Sequence, residues 1–218
     1  MKIIHTNRKT ISIGLDKKGN VIIKIPNSLK QSELDEILKL YKPFVEKLSK
    51  KSNLIKDNLK HFKEGEEFFY LGKKYKLKII KEQKEDLIFK NGFLLSENKI
   101  DKSKEIFKNW YCEQIYNLVM NKVNYFSKKF NLEFSHIKIS SSKISWGSCN
   151  SKKEVRFSWR LSMLPEDIIE YVVVHELAHL KELNHSRKFW NLVELMLPSY
   201  RIHRKWLREN NYLFINLF

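Results

Sequence analysis

The sequence feature that most constrains the fold is an apolar stretch that continues into two closely spaced histidines. A run of three valines ends at Val174 and is followed by His175, Glu176 and His179. Histidines four residues apart lie about 40° apart around an α-helix, so both rings can reach one ion. In the His-Glu-x-x-His pattern the histidines bind zinc and the glutamate acts as a general base. This stretch therefore predicts a helix with a metal site on one face.

A catalytic zinc site needs a third protein ligand, and His185 is the candidate. On an unbroken helix His185 would lie about 120° away from the first pair and about 9 Å further along the axis. It reaches the metal only if the helix ends first and the chain folds back. Asn184 favours that ending, because Asn tolerates the left-handed conformation that closes helices. The sequence predicts that these three histidines bind one Zn²⁺ per chain and that Glu176 is catalytic.

Other residues near this stretch are weaker candidates. The alternative to a metal site is three solvated histidines, which would leave Glu176 on an apolar helix face without a partner. Trp146 and Arg160 are candidates for substrate binding, although Trp146 could instead be buried in a tight turn. Arg160, Tyr171 and His203 are candidates for stabilising the transition state, with His203 expected at the surface.

The chain has 218 residues and is strongly basic, with 42 Lys and Arg against 25 Asp and Glu and a formal net charge of +17. Such a charge is typical of proteins that bind nucleic acid, nucleotides or other anions. Only seven of the basic residues are Arg, whereas surfaces that read DNA prefer Arg for its bidentate donors. We favour the codon usage of an AT-rich genome as the cause, and a nucleic-acid or nucleotide partner stays open.

The sequence excludes several other classes of protein. No apolar run approaches the roughly 20 residues of a membrane span, and the first residues are too polar for a signal peptide. The two cysteines, Cys112 and Cys149, cannot form a disulfide framework. We therefore expect a cytoplasmic protein without a membrane partner. The sequence does not indicate an oligomeric state.

The hydrophobic pattern predicts an α+β fold. Residues 1–100 are expected to form a β-rich module, with a hairpin in residues 3–25 that turns at residues 17–20, a second hairpin at Asn91-Gly92 and one helix that is broken at Pro43. Residues 101–218 are expected to contain a long helix with an apolar stripe over residues 103–130, a small sheet, the metal-binding helix and a following helix capped by Ser186. The strand near residues 154–161 is a candidate sheet edge for binding an extended substrate. The boundary is expected near residues 97–103, and the two parts either form separate modules or share one core.

The chain also resembles a known family. The motif His-Glu-Leu-Ala-His-Leu-x-x-x-Asn-His-Ser-x-x-Phe-Trp at residues 175–190 and Trp-Gly-Ser-Cys at residues 146–149 are similar to those of the YgjP-like metallopeptidases. Matching segments near the N-terminus, at residues 70–75 and at residues 159–161 extend the resemblance over nearly the whole chain. These proteins are regarded as metal-dependent hydrolases of the zincin class, similar in outline to SprT-like and WLM proteases.

The resemblance implies a zincin-like domain in residues 101–218, with the N-terminal module packed on it. It also implies that the three histidines bind the metal and that Glu176 is the catalytic base. The histidine spacing equals that of metzincins, but Glu182 stands where metzincins carry Gly. Met196 is expected in the core rather than in a Met-turn, so we do not assign the chain to the metzincins.

Three functions are consistent with these features, and we favour the first. The first is hydrolysis of a peptide or protein substrate, with zinc activating water and Glu176 taking its proton. The second is hydrolysis of a nucleotide phosphoanhydride, which the positive charge favours and the lack of a Gly-rich phosphate loop disfavours. The third is a nucleic-acid-associated protease whose basic surface binds DNA, with an affinity that falls steeply with salt.

Overall fold

The computed structural model describes residues 2–16, 19–57 and 59–215 and divides the chain into two compact units. Unit 1 comprises Met1–Lys60 and Ile215–Phe218, and unit 2 comprises His61–Phe214. Helices and separate small sheets occur in both units, so the predicted α+β class is confirmed. In the described part of the chain, no helix combines the length and the apolar character needed to cross a membrane.

Unit 1 is a three-stranded sheet followed by two helices. Its elements are β1 (Lys2–Thr6), β2 (Ser12–Leu15), β3 (Val21–Pro26), α1 (Gln31–Leu40) and α2 (Lys42–Asp57). The predicted antiparallel pairing of β2 with β3 is confirmed, while β1 adds to the other side of β3 in parallel. Lys17 and Lys18 of the predicted turn lie outside the described residues. The predicted break in the helix falls at Tyr41, and Pro43 occupies the first turn of α2, where its missing N–H costs nothing.

Unit 2 begins with a four-stranded sheet in the order β4-β5-β7-β6. Its strands are β4 (Glu67–Tyr70), β5 (Lys73–Ile80), β6 (Leu87–Phe89) and β7 (Phe93–Ser96). The predicted hairpin at Asn91 and Gly92 is confirmed, because β6 and β7 pair antiparallel and Asn91 adopts a positive φ of 53°. A 3₁₀ helix over Glu97–Lys102 then leads into the long helix.

The second sheet of unit 2 consists of β8 (His136–Ser140), β9 (Gly147–Cys149) and β10 (Glu154–Ser158). Its order is β8-β10-β9, so β10 is hydrogen-bonded on both sides. The prediction that the strand near residues 154–161 offers a free edge is therefore wrong. The edge position beside β10 belongs to β9, which carries the Gly-Ser-Cys of the Trp-Gly-Ser-Cys segment.

The helices of unit 2 are α3 (Ser103–Phe130), α4 (Glu166–Ala178), α5 (Arg187–Met196) and α6 (Tyr200–Asn210), with a 3₁₀ helix at Trp159–Met163. The short α7 (Tyr212–Ile215) follows α6, and its last residue is assigned to unit 1. The apolar stripe predicted for α3 is buried at a spacing of three or four residues. Its members are Phe107, Tyr111, Ile115, Val119, Val123 and Phe126. Met196 is also buried, as expected.

The division between the units lies at Lys60 and His61, well before the predicted boundary near residue 100. The reason is an aromatic core that joins the first sheet of unit 2 to α3. The ring of Phe93 on β7 lies 5.0 Å from that of Phe107 and 5.1 Å from that of Trp110. Residues 61–100 therefore share a core with the long helix, one of the two arrangements that the sequence left open.

Candidate metal centre and cleft

Two of the three predicted ligands are positioned by the C-terminal end of α4. This helix starts after Pro165 with Glu166 and Asp167 in its first turn, where carboxylates interact favourably with the helix dipole. Most of its remaining side chains are buried, which holds the helix at the centre of unit 2. His175 lies in its last turn and His179 directly follows its last residue, with their ring centroids 5.1 Å apart.

The helix ends earlier than predicted, and Asn184 does not close it. The N–H groups of Lys181 and Glu182 both donate to the carbonyl of Ala178, which turns the chain out of the helix. Asn184 does not have a positive φ, and its side-chain oxygen instead accepts a hydrogen bond from Ser186 N at 3.2 Å. The prediction that Asn184 ends the helix is therefore wrong, whereas the predicted return of the chain toward α4 is observed.

This return places His185 beside His175, with their Nε2 atoms 3.0 Å apart. One nitrogen from each of His175, His179 and His185 lies within 4.8 Å of the other two. Among the described residues, no other group of three or more His, Cys, Asp or Glu side chains is arranged to hold a metal ion. Cys149 is not part of this cluster.

The donor set fits a divalent cation such as zinc. Zn–N bonds of about 2.0–2.1 Å in a tetrahedral site place neighbouring ligand nitrogens roughly 3.3 Å apart, close to the spacing of His175 and His185. The Nδ1 of His179 lies 2.9 Å from the carbonyl oxygen of Glu182, so that nitrogen can donate there and leave Nε2 for a metal. Burial, with a smaller effect of His179, lowers the pKa of His175 to about 3. It is therefore neutral, as a ligand must be.

Two aromatic residues of α5 hold the histidine rings in place. The ring of Phe189 stacks on His179 with centroids 4.5 Å apart, and the indole of Trp190 stacks on His185 at 5.6 Å. The side chain of Ser186 caps α5 by accepting a hydrogen bond from Phe189 N, so the predicted cap is confirmed. The start of α5 thus positions both the third histidine and the rings packed against the cluster.

Glu176 points into the same region from the next position on α4. Its side chain is 6% exposed, and burial raises its pKa to about 8. The backbone of Gly147 on β9 lies directly against it, because a Cβ built at Gly147 would be 2.6 Å from Cγ and 2.7 Å from Oε1 of Glu176. Any side chain at position 147 would therefore displace the carboxylate. Residues 146–149 were singled out from the sequence, which did not predict that Gly147 leaves the space for the Glu176 carboxylate.

A cleft of about 240 Å³ opens over Glu176. It is lined by Ser145, Trp146, Gly147, Tyr171, Val172, His175, Glu176 and Leu207. Trp146 therefore borders the cleft, one of the two roles considered for it. Arg160 is not among these residues: its side chain is 4% exposed, and it donates to the carbonyls of Ser141 and Ser142. Arg160 thus supports the loop before Trp146 rather than facing the cleft.

The two other candidates for stabilising the transition state differ in position. Tyr171 lines the cleft, and burial raises its pKa to about 12, so its hydroxyl keeps its proton. The ring of His203 is already engaged, with Nδ1 3.4 Å from Asp167 Oδ2 and Nε2 2.9 Å from Ser199 Oγ. Sequence reasoning missed Arg204, whose guanidinium lies over the Trp190 ring, 4.2 Å from its centroid.

Comparison with known proteins gives three findings. The UTP pyrophosphatase of Escherichia coli (strain K12) is 39% identical over 59 residues, which cover 27% of this chain and 35% of that protein. The match thus spans about a third of the length of this curated relative. The metallopeptidase zymogen abylysin of Pyrococcus abyssi aligns with 43% of this chain and 95% of its own, at 21% identity and a TM-score of 0.39. The family model for the YgjP-like metallopeptidase domain matches residues 9–210, so the chain belongs to the YgjP-like metallopeptidase family.

Proposed function

We propose that unit 2 is a zinc-dependent hydrolase in which His175, His179 and His185 hold the metal and Glu176 is the general base. The observation that carries this proposal is the convergence of three imidazole nitrogens within 4.8 Å, beside a buried carboxylate on the same helix. Three protein ligands leave one coordination position open, as catalysis requires. Glu176 is then free to act on water rather than on the metal.

The chain's own residues account for the proton transfers. A bound zinc ion would supply Lewis-acid activation of water and stabilise negative charge on the substrate. Glu176 accepts the proton of the attacking water, because its raised pKa suits a base near neutral pH. The same carboxyl group then donates that proton to the leaving group. Gly147 leaves the space in which this side chain sits, and the Tyr171 hydroxyl is a neutral hydrogen-bond donor at the cleft.

For the substrate, we propose the phosphoanhydride bond of a nucleoside triphosphate ahead of the peptide bond that the sequence alone favoured. The named activity of the Escherichia coli relative supports this choice, and the net charge of +17 favours a polyanion. A peptide substrate is the second candidate. It is supported by the family description and by the position of β9, an edge strand that contributes Gly147 to the cleft and could pair with an extended chain.

The test combines metal analysis with two substrates. Wild type, Glu176→Gln and His185→Ala are loaded with zinc, and the metal per chain is measured by mass spectrometry, with His136→Ala as a control outside the cluster. Hydrolysis of UTP is followed by phosphorus NMR and that of casein by peptide release. We expect one zinc in wild type, Glu176→Gln and His136→Ala, and hydrolysis only in wild type and His136→Ala. Retention of zinc by His185→Ala would contradict the ligand set, and full activity of Glu176→Gln would contradict the base.

A further inference from the structure

Arg204 lies on the face of α6 that borders the cleft. Helix α6 packs against α4, and its residue Leu207 lines the cleft together with His175 and Glu176. Residues three apart on a helix lie on the same face, so Arg204 and Leu207 point to the same side. The guanidinium group is therefore directed to the region around the histidine cluster rather than to the opposite side of the helix.

An aromatic platform holds the guanidinium in position. Its Cζ atom lies 4.2 Å from the centroid of the Trp190 ring, the geometry of a cation–π contact. The same indole stacks on the ring of His185, at 5.6 Å and with 25° between the planes, and on Tyr200 at 5.5 Å. Because one ring contacts both Arg204 and a predicted metal ligand, the positive charge is held next to the cluster.

The charge of Arg204 is not neutralised within the described part of the chain. No carboxylate there lies within ion-pair distance of its guanidinium, whereas Arg201, one turn earlier, pairs with Glu194 at 3.3 Å. A guanidinium that stacks through its face keeps the N–H donors at its edge available.

We propose that Arg204 is a substrate-binding residue that forms, with Trp190 beneath it, an anion subsite next to the three-histidine cluster. Its ligand is a phosphate or carboxylate group of the substrate, bound through the edge of the guanidinium. The planar pair of donors matches such a group in a bidentate arrangement. This inference rests on the proposed function and adds to it a residue that selects substrates carrying a negative group near the bond that is broken.

The experiment measures anion binding directly, by calorimetry on zinc-loaded protein. The probes are inorganic phosphate and acetate, which represent the two sources of the group. The variants are Arg204→Gln and Arg204→Lys, with Lys205→Gln as a control that removes one positive charge from the same helix. Zinc content and melting temperature are recorded for each protein, so that loss of the metal or of the fold is recognised.

We expect phosphate to bind wild type and Lys205→Gln with affinities within twofold of each other. Arg204→Gln should bind it at least tenfold more weakly at unchanged zinc content, and Arg204→Lys should be intermediate because it keeps the charge but loses the paired donors. If acetate binds in place of phosphate with the same dependence on Arg204, the subsite takes carboxylates.

Equal binding by Arg204→Gln and wild type, or no binding of either anion by wild type, would overturn the subsite. A purely structural Arg204 would lower the melting temperature without changing phosphate affinity, which also contradicts the proposal. Neither result would affect the zinc content or the role of Glu176, so failure here is distinct from failure of the proposed function.

Discussion

The two units differ in how much of their apolar surface they bury. Among the described residues of unit 1 the buried core is small, with a cluster of Ile23, Ile25 and Leu34, their partly buried neighbours, and Val21. Beside it lies an apolar groove of about 850 Å³, where Leu40 is 74% exposed. Unit 2 instead contains a continuous aromatic cluster around Phe107, whose ring contacts those of Phe68 and Phe93.

This difference shows why the candidate site belongs to unit 2. A catalytic arrangement must be held to within about 0.5 Å by supporting side chains, which requires dense packing. The stacked rings of Phe189 and Trp190 provide that support around the histidines, and the backbone of Gly147 does so at Glu176. Unit 1 has no comparable arrangement among its described residues.

The largest effect is expected from Phe107→Ala in unit 2. This side chain is fully buried at the centre of the aromatic cluster, so its removal leaves a large cavity and costs about 3–5 kcal/mol. Because α3 also packs on α4, we expect zinc to be lost at lower denaturant than in wild type. Urea unfolding, followed by circular dichroism and by zinc release, measures both effects. A loss below about 1 kcal/mol would show that the cluster is looser than its packing indicates.

The matched change in unit 1 is Leu34→Ala, for which we expect a loss of about 2–4 kcal/mol confined to that unit. Leu34 is 2% exposed in a small core, and partial collapse around the cavity reduces the cost. Zinc content and hydrolysis at 25 °C should stay at wild-type values, because every residue of the site lies in unit 2. Loss of zinc in Leu34→Ala would contradict the separation of the two units.

A glycine in each unit gives a sharper test of the comparison. A methyl group at Gly147 collides with the Glu176 carboxylate, whereas one at Gly14 of β2 meets no atom within 4 Å. Since a misplacement of about 1 Å costs roughly 100-fold in rate, we expect Gly147→Ala to lower kcat by about that factor at full zinc content. Gly14→Ala should leave kcat unchanged. Steady-state kinetics with metal analysis measures this, and equal rates for the two variants would contradict the role of Gly147.

The features of the fold and of the site that could be predicted from the sequence are those that depend on the pattern of neighbouring residues. The stripe of α3 and the histidine pair of α4 follow from helical periodicity, and the Asn91-Gly92 hairpin follows from turn chemistry. The α+β class follows from the alternation of such segments. Helical periodicity did not locate the end of α4. Backbone hydrogen bonds to the carbonyl of Ala178 close that helix, whereas Asn184, the residue with the stronger local preference for ending a helix, does not.

Contacts between segments that are far apart along the chain could not be predicted from the sequence. Gly147 faces Glu176 because β9 packs on α4, and Arg204 reaches Trp190 because α5 and α6 both pack on α4. The central position of β10 likewise depends on strand order, which neither length nor alternation specifies. The boundary between the units was misplaced for the same reason, since strands and a helix that follow each other can share one core.

The smallest predicted effect compares the caps of two helices. Ser186→Ala removes the side-chain acceptor for Phe189 N at the start of α5, which costs about 1 kcal/mol. In unit 1, Glu33→Ala removes the acceptor for Lys30 N at the start of α1, at a comparable or smaller cost. Only Ser186→Ala should weaken zinc binding, because Ser186 follows His185 and its helix carries the rings that pack on the cluster. Competition with a zinc chelator measures that affinity, with a decrease of roughly fivefold expected if the full cost reaches the site. An equal decrease of zinc affinity in Glu33→Ala would contradict this expectation, because it would mean that the zinc site does not depend specifically on the cap of α5.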